Sequence, residues 1–360
     1  MKFPAQSLLL ITTRHIGDVL LTTPLLRSLR MAYPMARIDA LVYTWTAEIL
    51  EGTPDVNHVI TVNQDPPFSE YVGLVKRIFR QYDLAVSTLT GDRPILYAFW
   101  AAGKRASLVP PHRLADAWKR WITQAWVELD DWDTHTVIQN LRLCDSLEID
   151  RHYDVVAPES AQSDKILRAL LPFPRATTPY AVFHLVPLRF YKRWTLQGWQ
   201  DVARHLDAMG CRIVIVGGYL KEEGEYVAEF LKNAPSTVLS LAGRLRFSEV
   251  AKLIASCKVY VGLDTAVTHL AAATGAPTVA LYGPTNPVKW APWPKGFKED
   301  KNPFERTRTR QVRNVVLVQG PGDCVPCHEE GCHHHRQSKS RCLQELDAPA
   351  VIRAIEQVMV

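Results

Sequence analysis

Four short apolar runs, at residues 7–12, 38–42, 59–62 and 84–87, punctuate the first part of the chain, with a weaker fifth at 106–109. Each is rich in Leu, Ile, Val and Ala and too short for a helix. Between them, apolar residues recur at helical spacing over 20–33, 71–81 and 94–102. Buried strands alternating with amphipathic helices predict a parallel sheet with crossover helices. Helical patterns at 135–147 and 161–171 come next. Pro172, Pro174 and Pro179 then crowd one short stretch, a density no helix or strand interior accommodates, which predicts an interdomain linker there.

A second alternating series begins with a strand at 181–184. It continues with helix 196–209, strand 213–216, helix 222–233, strand 238–241 and helix 247–255. The series closes on a strand at 259–262, a small-residue helix at 266–273 and a strand at 278–281 that ends in Gly283-Pro284-Thr285. Two such series predict an α/β chain of two Rossmann-like lobes facing across a cleft, over residues 1–175 and 180–345. A last helix, within 347–360, is expected to pack back on the first lobe.

Composition narrows the class. A length of 360 residues suits two domains, and 47% hydrophobic with 22% charged residues predicts folded structure. The net charge of +5 is mildly basic, and with no Arg/Lys tract a nucleic-acid partner is not expected. The N-terminus passes almost directly into a strand without a leader-like apolar core, and no apolar run approaches the ~20 residues of a membrane span. These features predict a cytoplasmic protein and leave peripheral membrane contact open.

The candidate chemistry lies where predicted strands end, the edge at which open α/β sheets bind ligands. After the first strand come Arg14, His15, Gly17 and Asp18. Gly17 is expected to let the backbone turn tightly, and Asp18 is either a helix cap or a general base facing a ligand. Arg14 and His15 could neutralise an acidic ligand or hold Asp18. In the second lobe, Lys192 and Arg193 come after a strand end, a basic pair suited to a diphosphate. Gly217-Gly218-Tyr219 reads as a nucleotide-approach loop, and Glu222 or Glu223 could accept from a ribose. Asp264, Thr265 and Ala266 open the small-residue helix, whose free N–H groups suit a phosphate. His269 lies one turn further on the same face.

Residues 14–24, the step Lys192-Arg193-Trp194, and residues 264–273 with Tyr282-Gly283-Pro284-Thr285 together resemble the ADP-heptose:lipopolysaccharide heptosyltransferase family (glycosyltransferase family 9). Residues 38–43 and Pro54-Asp55-Val56 are most similar to its heptosyltransferase III subgroup. The resemblance implies an inverting GT-B glycosyltransferase that needs no metal cofactor. It moves heptose from ADP-heptose to lipid A-core lipopolysaccharide at the inner face of the inner membrane. By the same resemblance Asp18 is the base and Lys192 stabilises the departing diphosphate. Arg193, Glu222, Asp264, Thr265, Ala266, His269, Gly283 and Thr285 then form the donor site, and Arg14, His15 and Gly17 belong to the acceptor side. No Asp-x-Asp pair stands at the donor strand ends, so Lys192 and helix N-termini must carry the diphosphate charge. Pro187-Leu188-Arg189 departs from relatives that carry hydroxyl residues there.

Leu114, Ala117, Trp118, Trp121, Ile122 and Ala125 fall at helical spacing beside Arg113, Lys119 and Arg120. A basic, tryptophan-rich helix suits a membrane surface. With a phosphorylated glycolipid acceptor, Arg113, Lys119 and Arg120 become acceptor contacts; an ordinary helix covering the lobe fits the pattern equally. Cys324, Cys327, Cys332 and Cys342 supply enough soft ligands for a structural zinc, though not at the spacing of a common zinc finger, and reduced or adventitiously paired thiols are the favoured reading. Two other functions compete. One is transfer of another nucleotide-sugar to a surface polysaccharide. The other is an NAD-dependent oxidoreductase, which needs a Gly-x-Gly-x-x-Gly turn where this chain has only Gly17.

Overall fold

Six parallel strands build the first sheet: β1 (Ser7–Thr12), β2 (Arg37–Tyr43), β3 (His58–Val62), β4 (Tyr82–Ser87), β5 (Ala102–Val109) and β6 (Ala125–Glu128). They lie in the order β3-β2-β1-β4-β5-β6. The computed structural model describes residues 5–217, 220–335 and 337–359. The second sheet holds β7 (Tyr180–His184), β8 (Arg212–Ile215), β9 (Val238–Ser240), β10 (Val259–Leu263), β11 (Thr278–Tyr282), β12 (Arg310–Val312) and β13 (Val315–Gln319). Its order is β12-β13-β11-β10-β7-β8-β9, parallel throughout except for the antiparallel edge pair β12–β13.

Both sheets thus repeat one rule. Strand order reverses direction once, between β1 and β4 in the first sheet and between β7 and β10 in the second. The crevice at the carboxyl ends of such a switch point is where doubly wound sheets take ligands. The pleat explains the cores. Phe183, Val261, Leu263, Val279 and Leu281 enter one buried cluster of the second sheet. Their alternates Ala280 and Tyr282 join Val315 and Leu317 in another. In the first sheet Leu9, Ile11, Leu41, Ile60 and Ala85 pack with Tyr97 and Ala98 of the helix Asp92–Ala101.

Two boundaries differ from expectation. The chain divides into one compact unit ending at Pro158, which also takes in Lys298–Lys301, and a second comprising the rest. The proline-rich stretch therefore lies inside the second unit. Helix Ser163–Leu170 packs on helix Phe247–Ile254, and Asp164 pairs with Arg175 at 2.5 Å and Lys252 at 3.4 Å. Residues 298–301 return to the first unit, where Arg151 bonds Asp300 at 2.5 Å. The C-terminal helix Ala348–Met359, expected to pack back on the first lobe, is part of the second unit. Its stripe of Ala348, Val351, Ala354, Ile355 and Val358 joins the main core of the second, resting on β10, β11, β13 and helix Leu196–Ala208. A helix stripe specifies that it will be buried but not against which sheet.

Ile355 is fully buried in that contact. Truncating it to alanine is expected to lower the unfolding free energy by about 2–5 kcal/mol, read as a lower urea midpoint with unchanged m-value.

Candidate functional site

The second domain gathers most of the candidate residues. β7 and β10 are neighbours, with His184 opposite Gly262. The loops that leave their ends carry Lys192 and Asp264, whose Nζ and Oδ2 meet at 2.5 Å. The loop of Lys192 is fixed by the residues on its C-terminal side. Trp194 is buried, donates from Nε1 to the Leu346 carbonyl at 2.8 Å, and sits edge-on to Trp199 with ring centroids 5.2 Å apart. Thr195 caps the helix Leu196–Ala208 by accepting the Gly198 N–H at 3.0 Å. Asp264 is only 9% exposed. Burial by itself raises its pKa, but the Lys192 charge and hydrogen bonds from Lys192 and Thr285 outweigh it. The carboxyl is held below its ordinary value and is ionised at neutral pH.

Thr265 caps the helix Ala266–Thr274 with no side-chain hydrogen bond to its amides; the Thr268 N–H donates to the Thr265 carbonyl at 3.1 Å, and the Ala266 end of the helix is the end suited to an anion. His269 is buried one turn later. Burial pushes its pKa down to about 4, assisted by Lys192 and opposed by Asp264, so the ring is neutral. Its Nδ1 has no hydrogen-bond partner among the described residues. Lys192, Asp264, Thr265, Ala266, His269 and Thr285 therefore share one corner.

Other predicted donor residues are placed differently. Arg193 lies over the rings of Phe190 (4.7 Å) and Tyr226 (5.3 Å) rather than beside Lys192. Glu223 turns back to accept the Leu220 N–H at 3.4 Å, which leaves the exposed Glu222 as the carboxylate not used in that cap. Gly283 is not an open loop glycine. It is buried, and a Cβ there would meet Leu343 at 2.7 Å and Cys342 Sγ at 3.0 Å. Gly218 and Tyr219 lie outside the described residues. Gly217 has a φ of +91°, and a Cβ on it would strike the His184 ring at 2.7 Å.

His184 is a site residue that the sequence pattern does not single out. It ends β7, with its Nδ1 3.2 Å from Thr265 Oγ1, and burial pushes its pKa down to about 4. Tyr282, at the end of β11, donates its hydroxyl to the Trp290 carbonyl at 2.7 Å, and its pKa is driven far up by burial and by the Asp264 carboxylate. A polar residue closing an otherwise apolar run at a switch-point edge is the signal that could mark both.

In the first domain, Arg14, His15, Gly17 and Asp18 come directly after β1. Gly17 lies within the short helix Ile16–Leu20, so its backbone is helical and the expected tight turn is absent. Asp18 occupies the first turn of that helix. Arg14 Nε lies 3.2 Å from its Oδ1, and the side chain is 14% exposed. Desolvation raises the Asp18 pKa, opposed by Arg14, by His15 and by hydrogen bonds from the backbone N–H groups of Asp18 and His15.

The basic helix is shorter than expected, running from Ala117 to Ile122 with Ala125 already in β6. Lys119 is buried, its Nζ 2.6 Å from Asp116, 2.7 Å from Asp92 and 3.0 Å from the Thr90 carbonyl. Arg120 donates to Glu128 and the Pro110 carbonyl, both at 2.8 Å, and lies over Trp126. These two charges are thus committed within the domain, whereas Arg113, Leu114 and Trp121 are exposed. Cys324 and Cys332 are exposed, Cys327 half-buried and Cys342 buried. Among the described residues no group of three or more His, Cys, Asp or Glu side chains is set to hold a metal. Their segment braces the loop that follows β11: the His328 N–H donates to the Pro284 carbonyl at 2.8 Å, and Cys342 packs on Gly283.

Two parallel-sheet α/β domains, each with candidate ligand-binding residues at its switch point, define a two-domain, doubly wound α/β architecture. Residues 76–314 match the model of glycosyltransferase family 9 (heptosyltransferase), and the chain belongs to that family. It is 30% identical over 292 residues to lipopolysaccharide heptosyltransferase 3 of Escherichia coli, a match covering 78% of this chain and 84% of that one. Among solved structures it is similar to the family 9 glycosyl transferase of Veillonella parvula DSM 2008, with a TM-score of 0.78 and 18% identity over 100% of this chain and 98% of the other. It is also similar to the E. coli heptosyltransferase WaaC with ADP-2-deoxy-2-fluoro heptose, with a TM-score of 0.70 and 21% identity over 98% and 99%. The protein is a glycosyltransferase.

Removing one partner of the Lys192–Asp264 pair leaves a buried charge alone. Lys192→Met is expected to cost about 3–5 kcal/mol near neutral pH, measured by urea unfolding. In the wild type Asp264 titrates below its ordinary value, so the pair's contribution is present above the unfolded carboxyl pKa and fades as pH falls through the folded one. In Lys192→Met the sign reverses, and acidification is expected to recover part of the lost stability.

Proposed function

We propose that the enzyme transfers L-glycero-D-manno-heptose from ADP-heptose to inner-core lipopolysaccharide, inverting the anomeric centre. Asp18 takes the proton from the acceptor hydroxyl as its oxygen attacks the anomeric carbon and the bond to the diphosphate breaks. Lys192 and the amides opening helix Ala266–Thr274 stabilise the charge that gathers on the departing ADP, without a metal cofactor. Asp264, Thr265, Thr285 and His269 hold the donor sugar and diphosphate, Glu222 faces the nucleotide, and Arg14 and His15 keep Asp18 ionised and oriented.

The observation that carries this reading is the opposite tuning of two carboxylates at switch-point strand ends, Asp18 after β1 and Asp264 after β10. Desolvation raises the Asp18 pKa, which favours proton uptake, and the Lys192 charge holds the Asp264 pKa below its ordinary value. The relatives' names support the chemistry: WaaC is described with an ADP-heptose analogue, and the E. coli relative is a lipopolysaccharide heptosyltransferase. A lipid-linked acceptor also gives a role to Leu114 (90% exposed) and Trp121 (87% exposed) beside Arg113, as contacts with the inner face of the inner membrane. No helix among the described residues is long and apolar enough to cross it.

The test is transfer from ADP-heptose to heptose-deficient core, with mass spectrometry of the product and a measure of ADP release. Asp18→Asn is expected to lower kcat by about 10²–10⁴-fold with the donor KM little changed. Undiminished turnover would remove Asp18 as the base, and no transfer by the wild type would remove the function. In the pH profile, kcat/KM should fall on the acid side at a pH above the ordinary aspartate value. Because Arg14 lowers the Asp18 pKa, Arg14→Ala should move that limb to still higher pH.

A further inference from the structure

The first domain carries an aromatic surface beside Asp18 that the functional reading leaves unused. β1 and β2 are adjacent and parallel, with Thr12 opposite Val42, so the residues after each strand emerge at the same edge. After β1 these are His15 and Asp18. After β2 comes Trp45, in the short 3-10 helix Thr44–Leu50, which packs on helix Ile16–Leu20. The Trp45 ring lies 5.7 Å from the His15 ring at an interplanar angle of 60°. On Tyr43 it is stacked at 6.3 Å and 18°.

Trp45 is 44% exposed although its backbone is well fixed. Tyr43 packs against the apolar cluster of the first sheet. Thr46 Oγ1 donates to the Tyr43 carbonyl at 2.9 Å, and Thr44 Oγ1 bonds Asn63 Oδ1 at 3.3 Å. Asn63 is in turn held by Glu70 through two hydrogen bonds, of 2.8 and 2.9 Å. A large aromatic ring on a braced turn, stacked on Tyr43 and tilted against His15, stays half in water at the strand edge that also carries Asp18. It matches the surface of a sugar. A pyranose presents one face of C–H groups, which the negative face of an indole attracts while the ring hydroxyls remain free for polar partners.

We propose that Trp45 is the platform of an acceptor subsite, on which a pyranose of the acceptor saccharide stacks so that its hydroxyl reaches Asp18. The proposal rests on the reading of Asp18 as the acceptor's base. Its consequence is that Trp45 governs acceptor binding and not donor binding.

The experiment compares wild type, Trp45→Phe and Trp45→Ala, varying in turn ADP-heptose and a delipidated heptose–Kdo core oligosaccharide, with thermal melting as a check on folding. Trp45→Ala should raise the acceptor KM about tenfold, and Trp45→Phe should restore most of it because it keeps an aromatic face. The ADP-heptose KM should stay within about twofold for both. An acceptor KM unchanged in Trp45→Ala, an equal loss in Trp45→Phe, or a rise confined to the ADP-heptose KM would each overturn the subsite. A wild type that transfers no heptose to the oligosaccharide would instead overturn the functional reading on which it stands.

Discussion

The arrangement of the second domain turns on one part-buried ion pair. Lys192 and Asp264 stand 72 residues apart in the chain and meet at 2.5 Å where two neighbouring strands end. Burying both charges is expensive, and their attraction recovers that cost only with good geometry and further hydrogen bonds. Thr285 supplies one bond to Asp264, and Tyr282 lies against the same carboxylate. Trp194 pins the lysine's loop into the core two residues later. An apolar pair of similar volume would stabilise the domain at least as well. The ionic pair provides instead a fixed anion and a cation beside the open first turn of a helix.

The two domains use one topology for opposite electrostatic ends. In each, a carboxylate opens or precedes a short helix at the switch point of a parallel sheet. Asp18 has one half-exposed arginine near it, and desolvation wins. Asp264 has a lysine in direct contact, and the pairing wins. The same side chain is therefore suited to proton transfer in one place and to holding a polar ligand in the other. The neutral histidines 184 and 269 add polar groups to the corner of Lys192 and Asp264 without adding charge.

Much of the fold is legible in the sequence because parallel strands buried on both faces read as continuous apolar runs. The strands at 7–12, 181–184 and 278–281 and the helix opening at Ala266 fall within a residue or so of their observed bounds. Less legible are elements whose stability comes from neighbours. β6 reads as the end of a helix because Trp and Ala at helical spacing also fit a short edge strand. The edge strand β12, Arg310-Gln311-Val312, carries no such signal, whereas β13 carries it in Val315-Val316-Leu317-Val318 and belongs to the second series, from which the expectation omitted it. Among the candidate functional residues, Asp18, Lys192, Asp264 and His269 stand out by their place after strands. Gly17 and Gly283 read as conformational glycines. One is helical, and the other is small because Cys342 and Leu343 press against it.

The order of elements and the location of charged residues at strand ends were determined by the sequence alone, since periodicity and strand length are local properties. Partner choice was not local. Only the tertiary structure decided that Lys119 is spent on Asp92 and Asp116, that Arg193 lies over two aromatic rings, and that the C-terminal helix covers the second sheet. It likewise decided that Asp18 and Asp264 have opposite pKa shifts. Desolvation and Coulomb interactions depend on which atoms lie within a few ångströms, and a linear chain does not specify those until it has folded.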